Sequence, residues 1–446
     1  MKRDIEKALY EWKNQKSRMP LLMRGARQVG KSYLIENFGK TAFEKIVVVN
    51  FELQPELKKC FVTLNPEEII NRLQLMMGVT IEEQNTLLFL DEIQEHPEAI
   101  MALRYFLEKK PNIAVIGAGS LLEFALESKN FNMPVGRVQF IHLGPLSFGE
   151  FLSAAGHEAL RSHLAGVQLS QPPEPQLHEK LLELLRIYLI LGGMPSALNA
   201  YFENRDWQNA QRIQSSLLQT FRSDFGKYAK TSENKYLLSV FDKAPQLVGN
   251  RIKYSNIDDE SQSRDIKNAL QLLELAGIIK TVVATSAAGL PLGAQANEKK
   301  FKLIFLDVGL MQNICGLQSA LTVAKDFLQI NAGAVAEQFV GQELSAYADP
   351  YQTYRLFFWV RDKKGSSAEV DYVAAIDSQR LPMEVKAGKT GKLRSLRLFL
   401  EEKQIPFGVR FSQEPLSFYD RILSLPLYMV EQLPRLCRGL IESGLV

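Results

Sequence analysis

The stretch Gly25-Ala-Arg-Gln-Val-Gly30-Lys31-Ser32 fits the pattern G-x-x-x-x-G-K-[ST] at every fixed position. The apolar run Pro20–Met23 precedes it and the amphipathic segment Lys31–Phe38 follows it, which predicts a strand, a tight loop and a helix. In such a loop the backbone N–H groups turn inward onto phosphate oxygens, and the helix adds the positive end of its dipole. The sequence therefore predicts a binding site for ATP.

The parts of this loop have separate expected roles. Lys31 is expected to reach the β- and γ-phosphates, where it serves catalysis, and the Ser32 hydroxyl is expected to bind Mg²⁺. The predicted nucleotide-binding residues are Gly25, Ala26, Arg27, Gln28, Val29, Gly30, Lys31 and Ser32. The alternative, a chance Gly-rich turn with an exposed lysine, is weakened by a second feature further along the chain.

That second feature is an acidic pair at the end of an apolar run. Asp91 and Glu92 follow Leu87–Leu90, so both acids come directly after a predicted buried strand. Asp91 is expected to hold the Mg²⁺ shell, and Glu92 is expected to act as the base that polarises the attacking water. A strand ending in solvated acids is the alternative. The two features together predict an ATPase that uses ATP and Mg²⁺.

Two further residues are candidates for the same site. Ser120 follows the predicted strand Ile113–Ile116 through a Gly-rich turn, where its hydroxyl could sense the γ-phosphate; a plain loop is the alternative. Arg137 is interpreted as a catalytic arginine finger that neutralises transition-state charge. The alternative is an exposed surface arginine, which is the commoner environment of that residue type.

Composition excludes several classes of protein. The 446 residues suggest about three domains. The 53 Lys and Arg residues against 50 Asp and Glu residues exclude a histone-like polycation, so any nucleic-acid binding must come from the placement of charge. The three cysteines show no metal-binding spacing. Because neither an apolar leader segment nor an apolar run of membrane-spanning length is present, we expect a cytoplasmic protein without a membrane partner.

The order of apolar and amphipathic segments predicts an α/β fold. Short apolar runs alternate with helical patterns over the first 150 residues, which is typical of a parallel sheet covered by helices. A breaker-rich segment, Ser170–Pro175, is the best linker candidate. A mainly helical region follows, and then a helix and hairpin that suggest a winged helix. The segments Leu356–Val360, Ala368–Ile376 and Leu381–Ala387 are predicted as consecutive antiparallel strands.

Several motifs together resemble one known family. They are Arg24–Ser32, Leu90–Gln94, Gly136–Val138, Pro145–Phe148, Gly192–Pro195 and the late Glu-Val-Asp and Glu-Val-Lys elements. The chain resembles a prokaryotic AAA-like ATPase family with a conserved C-terminal region of unknown function. The resemblance implies an AAA-like (ASCE) P-loop ATPase domain at residues 1–165, a helical and winged-helix domain at 176–325 and a restriction-endonuclease-like α/β domain at 326–446. It also allows a homo-oligomer, since arginine fingers often act across subunits.

The last of these domains carries a candidate nuclease site. Glu384 and Lys386 share one face of a predicted strand, Asp371 lies in the preceding strand, and Glu337 comes from the helix before the sheet. The restriction-endonuclease-like superfamily uses such carboxylates to bind Mg²⁺ and the lysine to stabilise the pentacoordinate phosphate. If this hypothesis holds, Asp371 and Glu384 should converge on one point. The alternative is a hairpin whose charged side chains splay outward into solvent.

Three functions remain open at this point. The leading hypothesis is an ATPase whose C-terminal domains engage DNA or another nucleic acid, and the alternatives are a nucleotide-gated scaffold and an ATP-regulated endonuclease. A basic cluster, formed by Lys386, Lys389, Lys392, Arg394 and Arg397, favours phosphate contact, but a solvated helix face explains it equally well. Arg264 and Lys267 begin the winged-helix segment beside several acids, which would repel DNA.

Overall fold

The structure, a computed structural model, describes residues 1–127, 136–228, 231–316, 332–363, 367–388 and 393–444. The chain forms two compact units. Unit 1 comprises Met1–Gly144 with the short pieces Leu275–Gly277 and Asp349–Thr353, and unit 2 comprises Pro145–Glu274, Ile278–Ala348 and Tyr354–Val446.

Unit 1 is built on a parallel sheet. Its strands are β1 (Leu21–Arg24), β2 (Lys45–Asn50), β3 (Thr86–Asp91), β4 (Ala114–Ala118) and β5 (Gln139–His142), in the order β2-β3-β4-β1-β5. Its helices are α1 (Glu6–Lys13), α2 (Lys31–Ala42), α3 (Pro66–Met77), α4 (Pro97–Lys109) and α5 (Leu122–Glu127), with short 3-10 helices at Pro55–Phe61 and Ile93–Glu95. Every neighbouring pair of strands is parallel, which confirms the predicted parallel sheet.

Burial explains why these strands read as unbroken apolar runs. All six residues of β3 and all five of β4 are buried, because helices cover both faces of the sheet. Phe51, Phe61, Leu73 and Leu103 belong to the resulting core cluster. The carboxyl ends of β1, β3 and β4 meet at one edge of the sheet, so the loops that follow these strands are brought together there.

The first part of unit 2 is helical. Its helices are α6 (Phe148–Ala154), α7 (Glu158–Gly166), α8 (Pro175–Leu191), α9 (Pro195–Asn204), α10 (Trp207–Tyr228), α11 (Thr231–Leu247), α12 (Ser263–Leu275) and α13 (Val308–Ile314). The Gly192-Gly-Met-Pro195 element joins α8 to α9 and packs against the buried Asp307. The Gly193 amide donates to Asp307 Oδ2 at 2.6 Å, and the close approach leaves no space for a Cβ at Gly192. This element therefore serves the packing of unit 2.

The second part of unit 2 is a mixed sheet with flanking helices. Its strands are β6 (Ile279–Thr285), β7 (Ala296–Phe305), β8 (Leu356–Val360), β9 (Glu369–Ile376), β10 (Gln379–Val385), β11 (Gly408–Ser412), β12 (Ser417–Tyr419) and β13 (Ile422–Pro426). The remaining helices are α14 (Ala332–Ala346), α15 (Arg394–Lys403) and α16 (Leu433–Glu442), with short 3-10 helices at Tyr254–Asn256, Leu292–Gln295 and Leu427–Gln432. The strand order is β12-β13-β11-β10-β9-β8-β6-β7. The antiparallel pairs β8–β9 and β9–β10 match the predicted consecutive strands.

The hairpin that suggested a winged helix is part of the large sheet of unit 2. Helix α12 and the antiparallel pair β6–β7 are present, but β6 also pairs in parallel with β8. The hairpin is therefore the edge of the large sheet, so the winged-helix assignment is not confirmed and the expected boundary at 325/326 falls inside unit 2. Unit 1 ends at Gly144, before the expected boundary at 165, and the linker candidate Ser170–Pro175 lies within unit 2.

Across the part of the chain that the structure describes, every helix is too short or too polar to span a lipid bilayer.

Candidate functional site

The phosphate loop follows β1 and has the backbone conformation of an anion-binding turn. Gly25 has φ +144°, Gln28 has φ +67° and Gly30 has φ +94°, all in the region that favours glycine. A Cβ at Gly25 would lie 2.1 Å from the Leu143 carbonyl oxygen, so this position admits no side chain. Gly30 is the N-cap of α2, so the loop ends at the positive end of the helix dipole.

Lys31 is held inside this loop. Its side chain is 7% exposed, and its ammonium donates to the carbonyl oxygens of Gly25 and Ala26, both at 2.8 Å. Burial lowers the pKa of Lys31 to about 8, although the charges of Glu92 and Asp91 act in the opposite direction. The ammonium is therefore positioned over the loop that it is predicted to serve.

Asp91 ends β3 and is held by two side chains from other elements. The Ser32 hydroxyl donates to its Oδ1 at 3.0 Å, and the Asn50 amide donates to its Oδ2 at 3.0 Å. Burial, together with the neighbouring charge of Glu92, raises the pKa of Asp91. Hydroxyl and carboxylate oxygens are the ligands that Mg²⁺ prefers, so the Ser32 and Asp91 pair fits this ion. The sequence reasoning missed Asn50, which the parallel register of β2 and β3 places beside Asp91.

Glu92 is fixed by donors that the sequence reasoning did not assign to it. Its backbone is left-handed, with φ +46°. Its Oε2 accepts from Gln94 Nε2 at 2.6 Å, from the Ser120 amide at 3.2 Å and from the Ser120 hydroxyl at 3.3 Å. A Cβ at Gly119 would lie 1.7 Å from Gln94 Oε1, which explains the glycine before Ser120. Ser120 thus contacts the candidate base, and its predicted contact with a γ-phosphate stays a prediction.

Arg137 is placed away from the phosphate loop of its own chain. It precedes β5, whose parallel register with β1 pairs Gln139 with Leu21, so it lies at the amino-terminal edge of the sheet. The phosphate loop lies at the carboxyl edge. The Arg137 side chain is half-exposed, and its Nε lies 3.5 Å from Glu108 Oε1. A finger role for Arg137 therefore requires a second copy of the chain.

A second polar cluster lies in unit 2 and contains all four residues of the candidate nuclease site. Met383 pairs with Tyr372 in the antiparallel register of β9 and β10, so the next residues, Glu384 and Asp371, lie on neighbouring strands beside this pair. Asp371 Oδ2 accepts from the Val385 amide at 2.8 Å, and Glu384 Oε1 lies 2.5 Å from the Lys386 ammonium. Glu337 reaches the cluster from α14. Glu384 is only 6% exposed, so the solvated-hairpin alternative does not describe this arrangement.

The sequence reasoning missed the lysine at the centre of this cluster. Lys302, on β7, is 1% exposed. Its ammonium lies 2.6 Å from Glu369 Oε1, 2.8 Å from Glu337 Oε1 and 3.5 Å from Asp371 Oδ1. Arg251 Nε contacts the other oxygen of Glu369 at 3.1 Å. In β7, Lys302 lies between Phe301 and Leu303, and a lysine between apolar residues is also typical of a strand with one solvated face. The sequence therefore gave no indication that Lys302 is buried among carboxylates.

The electrostatics of the cluster follow from burial and close charges. Burial and the charge of Asp371 raise the pKa of Glu337 to about 7, and the same two causes raise the pKa of Glu384 to about 7. Burial alone would lower the pKa of Lys302, but the charges of Glu337, Asp371 and Glu369 outweigh it and raise that pKa above its ordinary value. Lys302 is therefore firmly protonated within the cluster.

Three family profiles match separate parts of the chain. Residues 17–152 match a family described as an AAA domain. Residues 182–321 match a domain of unknown function (DUF8612), and residues 332–429 match another (DUF4143). No curated protein matches the chain.

Several solved structures are similar at low identity. The Walker-type ATPase paby2304 of Pyrococcus abyssi is 17% identical, with a TM-score of 0.45, over 70% of this chain and 95% of that one. The Aeropyrum pernix ORC1 protein in complex with DNA is 12% identical, with a TM-score of 0.29, over 72% and 92%. The Thermotoga maritima RuvB Holliday junction branch migration motor is 14% identical, with a TM-score of 0.26, over 62% and 86%. Values this low carry no inference about the present chain.

The class of the amino-terminal part follows from its own residues and from the family match. A P-loop after β1, an acidic pair after β3 and a parallel sheet between helices occupy the segment that matches the AAA domain family. Unit 1 therefore contains an AAA-type P-loop ATPase domain, and this part of the predicted fold is confirmed.

Proposed function

We propose that this chain binds ATP with Mg²⁺ in the phosphate loop and hydrolyses the bond between the β- and γ-phosphates, with Glu92 as the base. The observation that carries the proposal is the 3.0 Å contact between the Ser32 hydroxyl and Asp91 Oδ1, beside a loop with left-handed glycines and a buried lysine. Ser32 belongs to the loop and Asp91 to β3, so this contact joins the two halves that a Mg-nucleotide site needs.

Each group in the site has one task. Lys31 exchanges the loop carbonyls for the β- and γ-phosphate oxygens, which are better partners because they are charged. Ser32 and Asp91 hold Mg²⁺, which neutralises charge on the phosphates when bound. Glu92 takes a proton from the attacking water, and because its three hydrogen bonds converge on Oε2, we assign that proton to Oε1.

Phosphate release by the full chain tests this proposal. We expect ATP turnover that requires Mg²⁺ and that falls by at least about a hundredfold in Asp91→Asn, since the amide removes the charge that holds the ion. The matched control is Asp259→Asn, an exposed acid of unit 2. Turnover by Asp91→Asn equal to that of the wild type would refute the assignment.

An arginine-finger role for Arg137 depends on a proposed homo-oligomer. If Arg137 acts as a finger, it must enter the phosphate loop of a second copy of the chain, because it lies at the opposite edge of its own sheet. Mixing Arg137→Ala chains with Glu92→Gln chains should then restore part of the turnover, since an intact loop in one chain meets an intact finger in the other. A mixture no more active than the two proteins measured apart contradicts the finger role.

We propose, as the first of two candidates, that ATP turnover controls binding to nucleic acid. Arg264 and Lys267 are exposed at the start of α12 and supply positive charge for a phosphate backbone. Labelled duplex DNA should bind the full chain with an affinity that falls steeply as the salt concentration rises. At a given salt concentration, Lys267→Glu should bind the duplex more weakly than the wild type. Binding that ignores both salt and this substitution contradicts the proposal.

A nucleotide-gated scaffold is the second candidate, and a specific observation favours it. Of the basic cluster defined above, Lys386 is paired with Glu384 and Arg397 with Asp420, while Lys389 and Lys392 lie outside the described residues. Cations already paired with acids have less to offer a phosphate backbone. A scaffold predicts nucleotide-dependent protein association in the absence of DNA binding, so the duplex titration above separates the two candidates.

A further inference from the structure

The polar cluster of unit 2 differs from the arrangement that an endonuclease-like site requires. There, two or three carboxylates share Mg²⁺ and a lysine stands beside them. Here Glu337 and Asp371 both contact Lys302, while Glu384 contacts Lys386. A second lysine, Lys302, enters from β7 and contacts the carboxylates that the ion would use.

Both oxygens of Asp371 and both oxygens of Glu369 are already engaged, whereas Glu384 Oε2 has no hydrogen-bond partner among the described residues. Asp371 uses Oδ1 for Lys302 and Oδ2 for the Val385 amide. Glu369 uses Oε1 for Lys302 and Oε2 for Arg251. Mg²⁺ needs oxygen ligands at about 2.1 Å in octahedral geometry. Among the residues that the structure describes, no group of three or more acidic, histidine or cysteine side chains is arranged to hold a metal ion.

The position of Lys302 is fixed by its surroundings. It is almost wholly buried, and its ammonium lies 5.4 Å from the centre of the Phe358 ring, which forms an apolar wall on β8. The strand that carries it is held to α14, because the Gln338 side chain bonds both the N–H and the carbonyl of Phe305, each at 2.7 Å. Lys302 therefore cannot swing into solvent to make room for an ion without breaking packed structure.

Charge balance leads to the same conclusion. Four carboxylates, those of Glu337, Glu369, Asp371 and Glu384, face three cations of the chain, which are Lys302, Lys386 and Arg251. A buried cluster of acids is stable only when its charge is compensated. The three cations offset three of the four carboxylate charges, so little negative charge remains to attract a divalent ion.

We propose that the Lys302 ammonium is the built-in counter-ion of this cluster, so that the endonuclease-like part of unit 2 is a metal-independent scaffold. Its lysine-bridged acids join β7, β9 and α14 where a nuclease would assemble its ion. The proposal concerns unit 2 alone and does not depend on ATP turnover in unit 1.

Mn²⁺ titration of the nucleotide-free full chain, followed by the loss of the free-ion paramagnetic signal, tests the proposal. The wild type and Glu384→Gln should give the same curve, because neither binds Mn²⁺ at the cluster. An equivalent of Mn²⁺ bound by the wild type and lost in Glu384→Gln would overturn the proposal. Glu384 suits this comparison, since its Oε2 is buried without a hydrogen-bond partner among the described residues and an amide has nearly the same shape.

Removing the ammonium should create the site that it fills. We expect Lys302→Met to bind Mn²⁺ at least about tenfold more tightly than the wild type, because three carboxylates lose their shared cation. Adding Asp371→Asn should abolish that gain, since Asp371 is one of the three carboxylates that contact Lys302. Lys300→Met is the matched control, since Lys300 lies on the same strand but pairs only at the surface with Asp362. A folded Lys302→Met that gains no Mn²⁺ contradicts the proposal, and the wild-type comparison decides the matter if this variant does not fold.

Discussion

The Ser32 hydroxyl donates to Asp91 Oδ1 at 3.0 Å, although 59 positions separate the two residues in the chain. The contact forms because α2 begins after β1 and Asp91 ends β3, so that both residues lie at the carboxyl edge of one parallel sheet. Binding sites of open α/β sheets lie at this edge.

ATP binding should take up a proton above neutral pH. The pKa of Lys31 is lowered to about 8 in the free chain, and phosphate charge beside the ammonium should raise it again. Because the bound state then holds more protons than the free state, ATP affinity should fall as the pH rises through and above 8. Calorimetry at pH 8.5 in buffers of different ionisation enthalpy measures the uptake. Lys31→Arg, which keeps its charge, should show none.

Asn50 should set the Mg²⁺ requirement of the site. Its amide fixes Asp91 Oδ2, so Asn50→Ala frees the carboxylate to rotate. Losing a hydrogen bond to a charged group costs about 1.5–3 kcal/mol, which corresponds to a rise of roughly tenfold or more in the Mg²⁺ concentration for half-maximal turnover. Asn37→Ala, an exposed substitution on α2, is the control. An unchanged Mg²⁺ requirement would show that Ser32 alone orients Asp91.

Gly192→Ala should destabilise unit 2 strongly. Gly192 has φ +70°, and a Cβ there would lie 2.0 Å from the buried Asp307 Oδ1. Gly156 has φ +84° with open space around it, so Gly156→Ala reports the backbone cost alone, about 1–2 kcal/mol. Urea denaturation should show Gly192→Ala losing clearly more stability than Gly156→Ala. Equal losses would mean that Asp307 moves aside without cost.

Glu343 should make the stability of unit 2 depend on pH. It is buried and accepts from the Phe148 amide at 3.0 Å, and burial raises its pKa to about 8. The folded state therefore holds a proton that the unfolded chain releases above about 4.3, so this contribution is complete below that pH and is lost as the pH rises toward 8. Glu343→Gln should flatten the fall in unfolding free energy between pH 5 and pH 8. An identical slope in both proteins would refute the assignment.

The sequence predicted best what is local in the chain. The phosphate loop, its flanking strand and helix and the acidic pair each lie within a few residues, so spacing and hydropathy sufficed. Asn50 and Lys302 were missed because their roles depend on which strands are neighbours, and an asparagine or lysine on a strand reads as a solvated side chain. The predicted boundary at 325/326 lies inside unit 2, because the parallel pairing of β6 with β8 joins distant segments into one sheet.

The central claim is that Glu92 activates water in a Mg-ATP site. Pre-steady-state and steady-state phosphate release by Glu92→Gln, measured beside calorimetric ATP binding, tests it most directly. Glu95→Gln is the control, because Glu95 is exposed at the end of the short 3-10 helix that follows Glu92. We expect Glu92→Gln to bind Mg-ATP as tightly as the wild type and to lose turnover by about 10²–10⁴-fold, the range that a general base contributes. Glu95→Gln should match the wild type in both. Turnover by Glu92→Gln at the wild-type rate would contradict the account.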